Sequence, residues 1–148
     1  MSQVPLTEAI EHYLREIYKL GQDQDEPVSV TALARAQRVS PASASAMVKK
    51  LAALGLADHA RYGGVSLTAA GERVALEVIR HHRLLELYLA ETLGVDVEDV
   101  HDEADRLEHA ISEELEARID KALGFPTHDP HGDPIPDANL RWPHAASG

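Results

Sequence analysis

Ser40-Pro-Ala-Ser-Ala-Ser-Ala-Met-Val-Lys-Lys-Leu51 is the stretch on which the fold turns. A serine followed by proline opens a helix well: the hydroxyl accepts from an orphaned N–H, and proline has no N–H to orphan. From Ala42 to Leu54 the apolar residues Ala44, Met47, Val48, Leu51 and Leu54 recur with helical spacing, and Gly55 closes the segment. Upstream, Val30 to Gln37 reads as a short helix with Leu33 and Ala34 turned inward, after a polar loop over 22–27 that ends in proline. Two short helices joined by a tight turn form the helix-turn-helix pattern. Downstream, Leu56-Ala-Asp-His-Ala60 and Val65-Ser-Leu67 flank Arg61-Tyr-Gly-Gly64, a hairpin whose glycines supply the turn. A hairpin directly after the second helix is a wing.

The remainder is mainly α. Ile10, Tyr13, Leu14, Ile17 and Leu20 form the stripe of a first amphipathic helix ending near Gly21. Thr68 caps a long helix through about Thr92, with Val74, Val78, Leu84, Leu85 and Tyr88 among its core candidates. A linker over 94–99 leads to further helix from Val97 or Val100 towards Leu123, with room for one break, and Gly124-Phe-Pro126 stops it. The expected organisation is a winged helix-turn-helix over 1–70, a helical metal-binding and dimerisation domain over 71–126, and an irregular tail over 127–148.

The chain of 148 residues has no cysteine, which excludes disulfides, thiolate ligands and cysteine nucleophiles and leaves nitrogen and oxygen to hold any metal. With neither an N-terminal signal pattern nor an apolar run long enough to span a bilayer, a soluble, cytoplasmic protein without a membrane partner is expected. The net charge of −11 argues at first against nucleic acid. Its distribution argues otherwise. Over 28–67, Arg35, Arg38, Lys49, Lys50 and Arg61 stand against Asp58 alone, a net charge of +4, whereas 68–125 carries 15 acids and 6 bases. The basic island suits phosphate contacts from Arg35, Arg38, Lys49, Lys50, Arg61 and the Ser40 hydroxyl. Ser40, Pro41, Ser43 and Ser45 on the first turns of the second helix face base edges, with a modest direct code because these side chains are short. Double-stranded operator DNA is the expected partner.

His101-Asp-Glu-Ala-Asp105-Arg-Leu-Glu108-His109 is the most informative run for chemistry. Residues 101, 105, 108 and 109 fall along one stripe of a helix, where two imidazoles and two carboxylates converge. On the preceding helix His82 and Glu86 stand at i, i+4, and with His101 they can form a second site. Such shells suit Mn²⁺, Fe²⁺, Co²⁺, Ni²⁺ or Zn²⁺. Each cluster taken alone reads more readily as a charged, solvated helix face, and it is their occurrence together on neighbouring helices behind a winged helix that favours metal. Two other functions fit parts of the pattern. A metal-dependent hydrolase would use an open coordination position to activate water, but no nucleophile motif, phosphate loop or second acid–base pair accompanies it. A winged-helix sensor of a small organic ligand would leave the His/Glu stripes as surface charge. Nothing in the chain marks a catalytic residue, so a regulator, and not an enzyme, is expected.

Over about residues 5–137 the chain resembles the diphtheria-toxin-repressor family of iron- and manganese-dependent repressors, including its manganese-transport-regulator branch. The matching segments are Glu11-His-Tyr-Leu-Arg-Glu-Ile-Tyr18, Ser40 to Leu51, Arg80-His-His-Arg-Leu-Leu-Glu86 and Val100 to His109. The resemblance implies a homodimer joined through the C-terminal helices, with a principal metal site on His12, Asp105, Glu108 and His109 and a second on His82, Glu86 and His101. It also marks departures. Position 12 is commonly methionine in iron-type members and aspartate in manganese-type members, and is His12 here. Position 105 is cysteine in the iron type and Asp105 here, and Arg15 replaces a glutamate of the manganese type. Long-form members append an SH3-like domain after a Pro-Ile-Pro segment, and here Pro134-Ile-Pro136 stands a dozen residues from the end. With no sulfur ligand, Mn²⁺ is the expected co-repressor and Fe²⁺ the runner-up.

Overall fold

The structure, a computed structural model, describes residues 7–22, 24, 26–59 and 64–143. It divides into two compact units, Met1–Ala75 and Leu76–Gly148.

In the first unit, α1 (Glu8–Gly21) is capped by Thr7, whose hydroxyl accepts from the Ile10 N–H at 3.2 Å, and it buries Ile10, Tyr13, Leu14 and Ile17. Ser29 caps α2 (Val30–Gln37), and Ser40 caps α3 (Pro41–Ala53) with Pro41 at its first turn. Between them the chain turns through Arg38 at φ 56°, a left-handed conformation that an L side chain adopts at some cost, and the Val39 N–H closes the turn on Ala34 O at 3.0 Å. This sets α2 against α3 as a helix-turn-helix. Leu33, Ala44, Val48 and Leu51 are buried and join the α1 stripe in one core. Leu54, expected on that face, is 37% exposed because it has become the C-cap beyond the last turn.

The wing strands β2 (Ala57–His59) and β3 (Gly64–Leu67) pair antiparallel with Ala57 opposite Leu67 and His59 opposite Val65. Sequence reading missed a third strand, β1 (Val28–Ser29), which adds to the free edge of β3 with Val28 opposite Val65. The turn of the wing, with Arg61, lies outside the described residues.

Thr68 joins the wing to α4 (Ala69–Glu91). Its N–H donates to Leu56 O at 3.1 Å, its hydroxyl donates to Gly55 O at 2.8 Å, and the same oxygen accepts from the Gly71 N–H. Gly71 is consequently pressed onto Leu56: a Cβ there would stand 1.9 Å from Leu56 O, an atom that its own hydrogen bond holds in place. Gly71→Ala should therefore lower stability by roughly 1–3 kcal/mol or more, the cost of overpacking without room to relax. Urea unfolding measures it, and a variant as stable as the parent would contradict the packing described.

In the second unit α4 buries Leu84 and Leu87 against Ile135, and Leu85 against Ala104 and Ile119. Val74 and Tyr88, expected in the core, are only half-buried. The helix after the linker is two pieces, α5 (Val100–Leu107) and α6 (Glu113–Ala122), the second capped by the Ser112 hydroxyl accepting from the Leu115 N–H at 3.1 Å. Beyond 126 the described residues hold no helix and a single bridge, His128 to Pro134, yet the segment packs through Ile135. No helix among the described residues is long and apolar enough to cross a membrane.

Candidate metal centre and nucleic-acid face

Three segments of the second unit meet around His82. From α4 come His82 and Glu86, one turn apart on its inner face. From α5 come His101, Asp105 and, where the helical backbone continues one residue past its end, Glu108. From the irregular segment come Asp129 and His131.

The sequence divides these residues between two sites, with His82 in the second. In the structure His82 faces donors of both groups. Its Nδ1 lies 2.5 Å from Glu108 Oε2 and 3.3 Å from Asp105 Oδ1, and its Nε2 lies 3.1 Å from His101 Nδ1 and 3.2 Å from Glu86 Oε2. His101 Nδ1 is also 3.4 Å from Glu86 Oε2, and His109 Nε2 is 3.1 Å from Glu108 Oε1. The donor atoms of His82, Glu86 and His101, and likewise those of His82, Asp105 and Glu108, lie within 4.8 Å of one another. Glu86 and Glu108 are 2% and 1% exposed, burial that carboxylates tolerate only when paired with cations or bound to a metal. His12 stands half-buried on α1 in the other unit.

Glu86, Asp129 and His131 form a further cluster that sequence reading missed. His131 Nδ1 is 3.5 Å from Glu86 Oε1, and Asp129 is fixed by accepting at Oδ1 from the His131 and Asp133 N–H groups at 2.9 and 2.8 Å. An aspartate and a histidine two apart in a Pro/Gly-rich segment carry no helical period, so no spacing rule selects them. The burial of Ile135 against α4, with Arg80 and Arg83 of that helix donating to Pro136 O and Pro134 O, brings them to Glu86.

Burial and close ion pairing pull against each other throughout the cluster. Burial opposes charge on His82, but its hydrogen bonds to Glu108 and Glu86 and their negative charge outweigh it and raise the imidazole to about 9. Burial would raise Glu86, yet the hydrogen bond and charge of His82 hold it below the ordinary carboxylate range. Asp129 is pushed up by burial, partly offset by its backbone hydrogen bonds, with the charge of Glu86 adding to the rise. Imidazole nitrogens and carboxylate oxygens converging without any sulfur or ammonium group fit a divalent metal of intermediate to hard character. When bound, such an ion would supply positive charge among these carboxylates.

On the first unit Ser40, Pro41 and Ser43 are exposed at the start of α3 and Ser45 is half-buried. The Ser40 hydroxyl accepts from the Ser43 N–H at 3.1 Å, and the two hydroxyls are 3.0 Å apart. Arg35, Arg38, Lys49 and Lys50 are exposed around the same helix pair.

A winged helix-turn-helix followed by a donor cluster of this chemistry defines a class, the DNA-binding regulators with a divalent-metal site. Comparison with known proteins narrows it. Residues 5–65 match the family model of the iron-dependent repressor N-terminal DNA-binding domain, and residues 68–137 match that of the iron-dependent repressor metal-binding and dimerisation domain. An uncharacterised HTH-type transcriptional regulator of Methanocaldococcus jannaschii is 33% identical over 114 residues, 77% of this chain and 91% of that one. The iron-dependent repressor IdeR of Mycobacterium leprae is 37% identical over 131 residues, 88% of this chain and 56% of that one. Among solved structures, a manganese-dependent transcriptional repressor in complex with manganese superposes with a TM-score of 0.83 at 47% identity, covering 93% of this chain and 63% of that one. The chain belongs to the iron-dependent repressor family, whose members are DNA-binding, metal-dependent transcriptional repressors and not enzymes. It spans somewhat more than half the length of IdeR.

Proposed function

We propose that the chain is a manganese-responsive repressor acting in the cytoplasm, a homodimer that binds double-stranded operator DNA when metal fills the centre around His82. The observation that carries this reading is the placement of both nitrogens of one buried imidazole among carboxylates, Asp105 and Glu108 on one side and Glu86 on the other, with His101 alongside. His109 and, from the family pattern, His12 complete the proposed ligands. Oxygen-rich shells favour harder cations, so Mn²⁺ is the proposed co-repressor. Fe²⁺ is the second reading, supported by the likeness to IdeR. No organic ligand is required.

On DNA, one recognition helix per chain and two copies call for pseudo-palindromic half-sites about one helical turn or a multiple apart. The metal contributes by binding one conformation of the dimer more tightly than the other and shifting the population towards it. Operator affinity measured across Mn²⁺, Fe²⁺ and Zn²⁺ should rise most with Mn²⁺ at equal free concentration. Asp105→Cys combined with His12→Met, which places sulfur where iron-type members carry it, should move the preference away from Mn²⁺. A parent protein that answers to Zn²⁺ alone, or a double variant with unchanged preference, would refute the ligand-hardness argument.

A further inference from the structure

The break between α5 and α6 leaves carbonyl groups in the last turn of α5 without partners inside the helix. At Glu108 that role falls to a side chain of α4: His81 Nδ1 lies 3.2 Å from Glu108 O. The opposite nitrogen of the same ring, Nε2, lies 2.5 Å from Glu116 Oε2 on α6. A carbonyl oxygen and a carboxylate both accept, so each nitrogen of His81 donates, and neither is left with a lone pair for a metal. His81 and His82 are neighbours in sequence but divide the work, His82 presenting its nitrogens to the donor cluster and His81 gripping main chain.

The grip is itself anchored. Glu116 is 8% exposed, and its other oxygen receives Arg80 Nε. Arg80 is 5% exposed, and it donates also to Asp120 Oδ2 and to Pro136 O, each at 2.9 Å. The result is a buried frame in which α6, through Glu116 and His81, holds the one stretch of backbone from which the Glu108 carboxylate projects towards His82. We propose that His81, held by Glu116, is a positioning residue of the metal centre, fixing the main chain of Glu108 so that its carboxylate is aimed at the cation. This rests on the reading of Glu108 as a metal ligand. The physical reason for an effect is that a ligand whose backbone is free must be ordered at the moment of binding, and partners that orient ligands typically account for a 10- to 100-fold difference in metal affinity.

The test is equilibrium Mn²⁺ binding to the full chain, read from the paramagnetic signal of free Mn²⁺, with folding of each metal-free variant followed by circular dichroism and thermal melting. His81→Leu, which keeps bulk and removes both hydrogen bonds, should weaken Mn²⁺ binding roughly 10- to 100-fold. His81→Gln, whose amide can still donate to Glu108 O, should recover part of that loss, and Glu116→Gln should fall between the parent and His81→Leu. A lowered melting temperature with parental Mn²⁺ affinity in His81→Leu would mean a purely structural role and overturn the proposal. If His81→Leu does not fold, the other two variants decide: parental affinity in both overturns it. Glu108→Ala separates the two levels. Loss of Mn²⁺ binding there, with none in the His81 and Glu116 variants, defeats the positioning role alone, whereas parental binding by Glu108→Ala defeats the metal centre and this inference with it.

Discussion

Replacing Glu108 by alanine is expected to reduce Mn²⁺ affinity by more than about 100-fold, beyond the range associated with residues that only orient ligands. Glu108 is 1% exposed and touches His82 through one oxygen and His109 through the other, so it joins two of the proposed imidazole ligands. Its loss removes a negative charge where water cannot screen it, and the neighbouring histidines lose the acceptor that orients them. If metal occupancy drives operator binding, the variant should bind operator only as well as the metal-free parent does, a loss of roughly 1–3 kcal/mol. Mn²⁺ titration and fluorescence anisotropy with labelled operator measure the two effects. Glu103→Ala is the control, because Glu103 is a half-buried acid of the same helix whose partner is Arg106 at 2.7 Å. An alanine at 108 that leaves Mn²⁺-dependent operator binding intact would defeat the proposed function.

The second large effect concerns the DNA face. Lys49 and Lys50 are exposed on α3, within the basic island of an acidic chain. If both neutralise phosphates, the double change to alanine should weaken operator binding on the order of tenfold or more at physiological salt, and should lower the slope of log affinity against log salt by about 2. The loss should be similar for unrelated duplexes, since phosphate contacts carry no sequence information. Lys121→Ala, an exposed lysine on α6, should leave the slope unchanged. A double variant with the parental slope would show that these ammonium groups do not meet the backbone.

What the sequence made legible follows from what repeats. The α1 stripe of Ile10, Tyr13, Leu14 and Ile17, the Ser40–Pro41 cap and the glycine after α3 are local signals, and each element formed where its signal lies. β1 has two residues and exists only because the edge of β3 is open, so it has no pattern of its own. The break between α5 and α6 had a usable signal, Ser112 followed by Glu113 and Glu114, the composition of a helix start. Spacing pairs His82 with Glu86, but it cannot tell which way the second ring nitrogen faces. That depends on how α5 packs on α4 through Ala104 and Leu85. Asp129 and His131 lie beyond any period and take their place from the burial of Ile135 and the hydrogen bonds of Arg80 and Arg83 to the same segment.

The absence of sulfur from the proposed ligands has a consequence for chemistry under oxidising conditions. Thiolates are the side chains that peroxide converts first, to sulfenic acid and then to irreversible products, and a sensor relying on one loses its metal when the cell is under oxidative attack. With aspartate at position 105, and no cysteine anywhere in the 148 residues, the thiol route of oxidation has no starting point in the proposed ligands. The only sulfur atoms are the thioethers of Met1 and Met47, and the second of these packs against the core of the first unit. If these residues hold the metal, Mn²⁺ binding measured before and after exposure to peroxide should show no loss attributable to thiol oxidation.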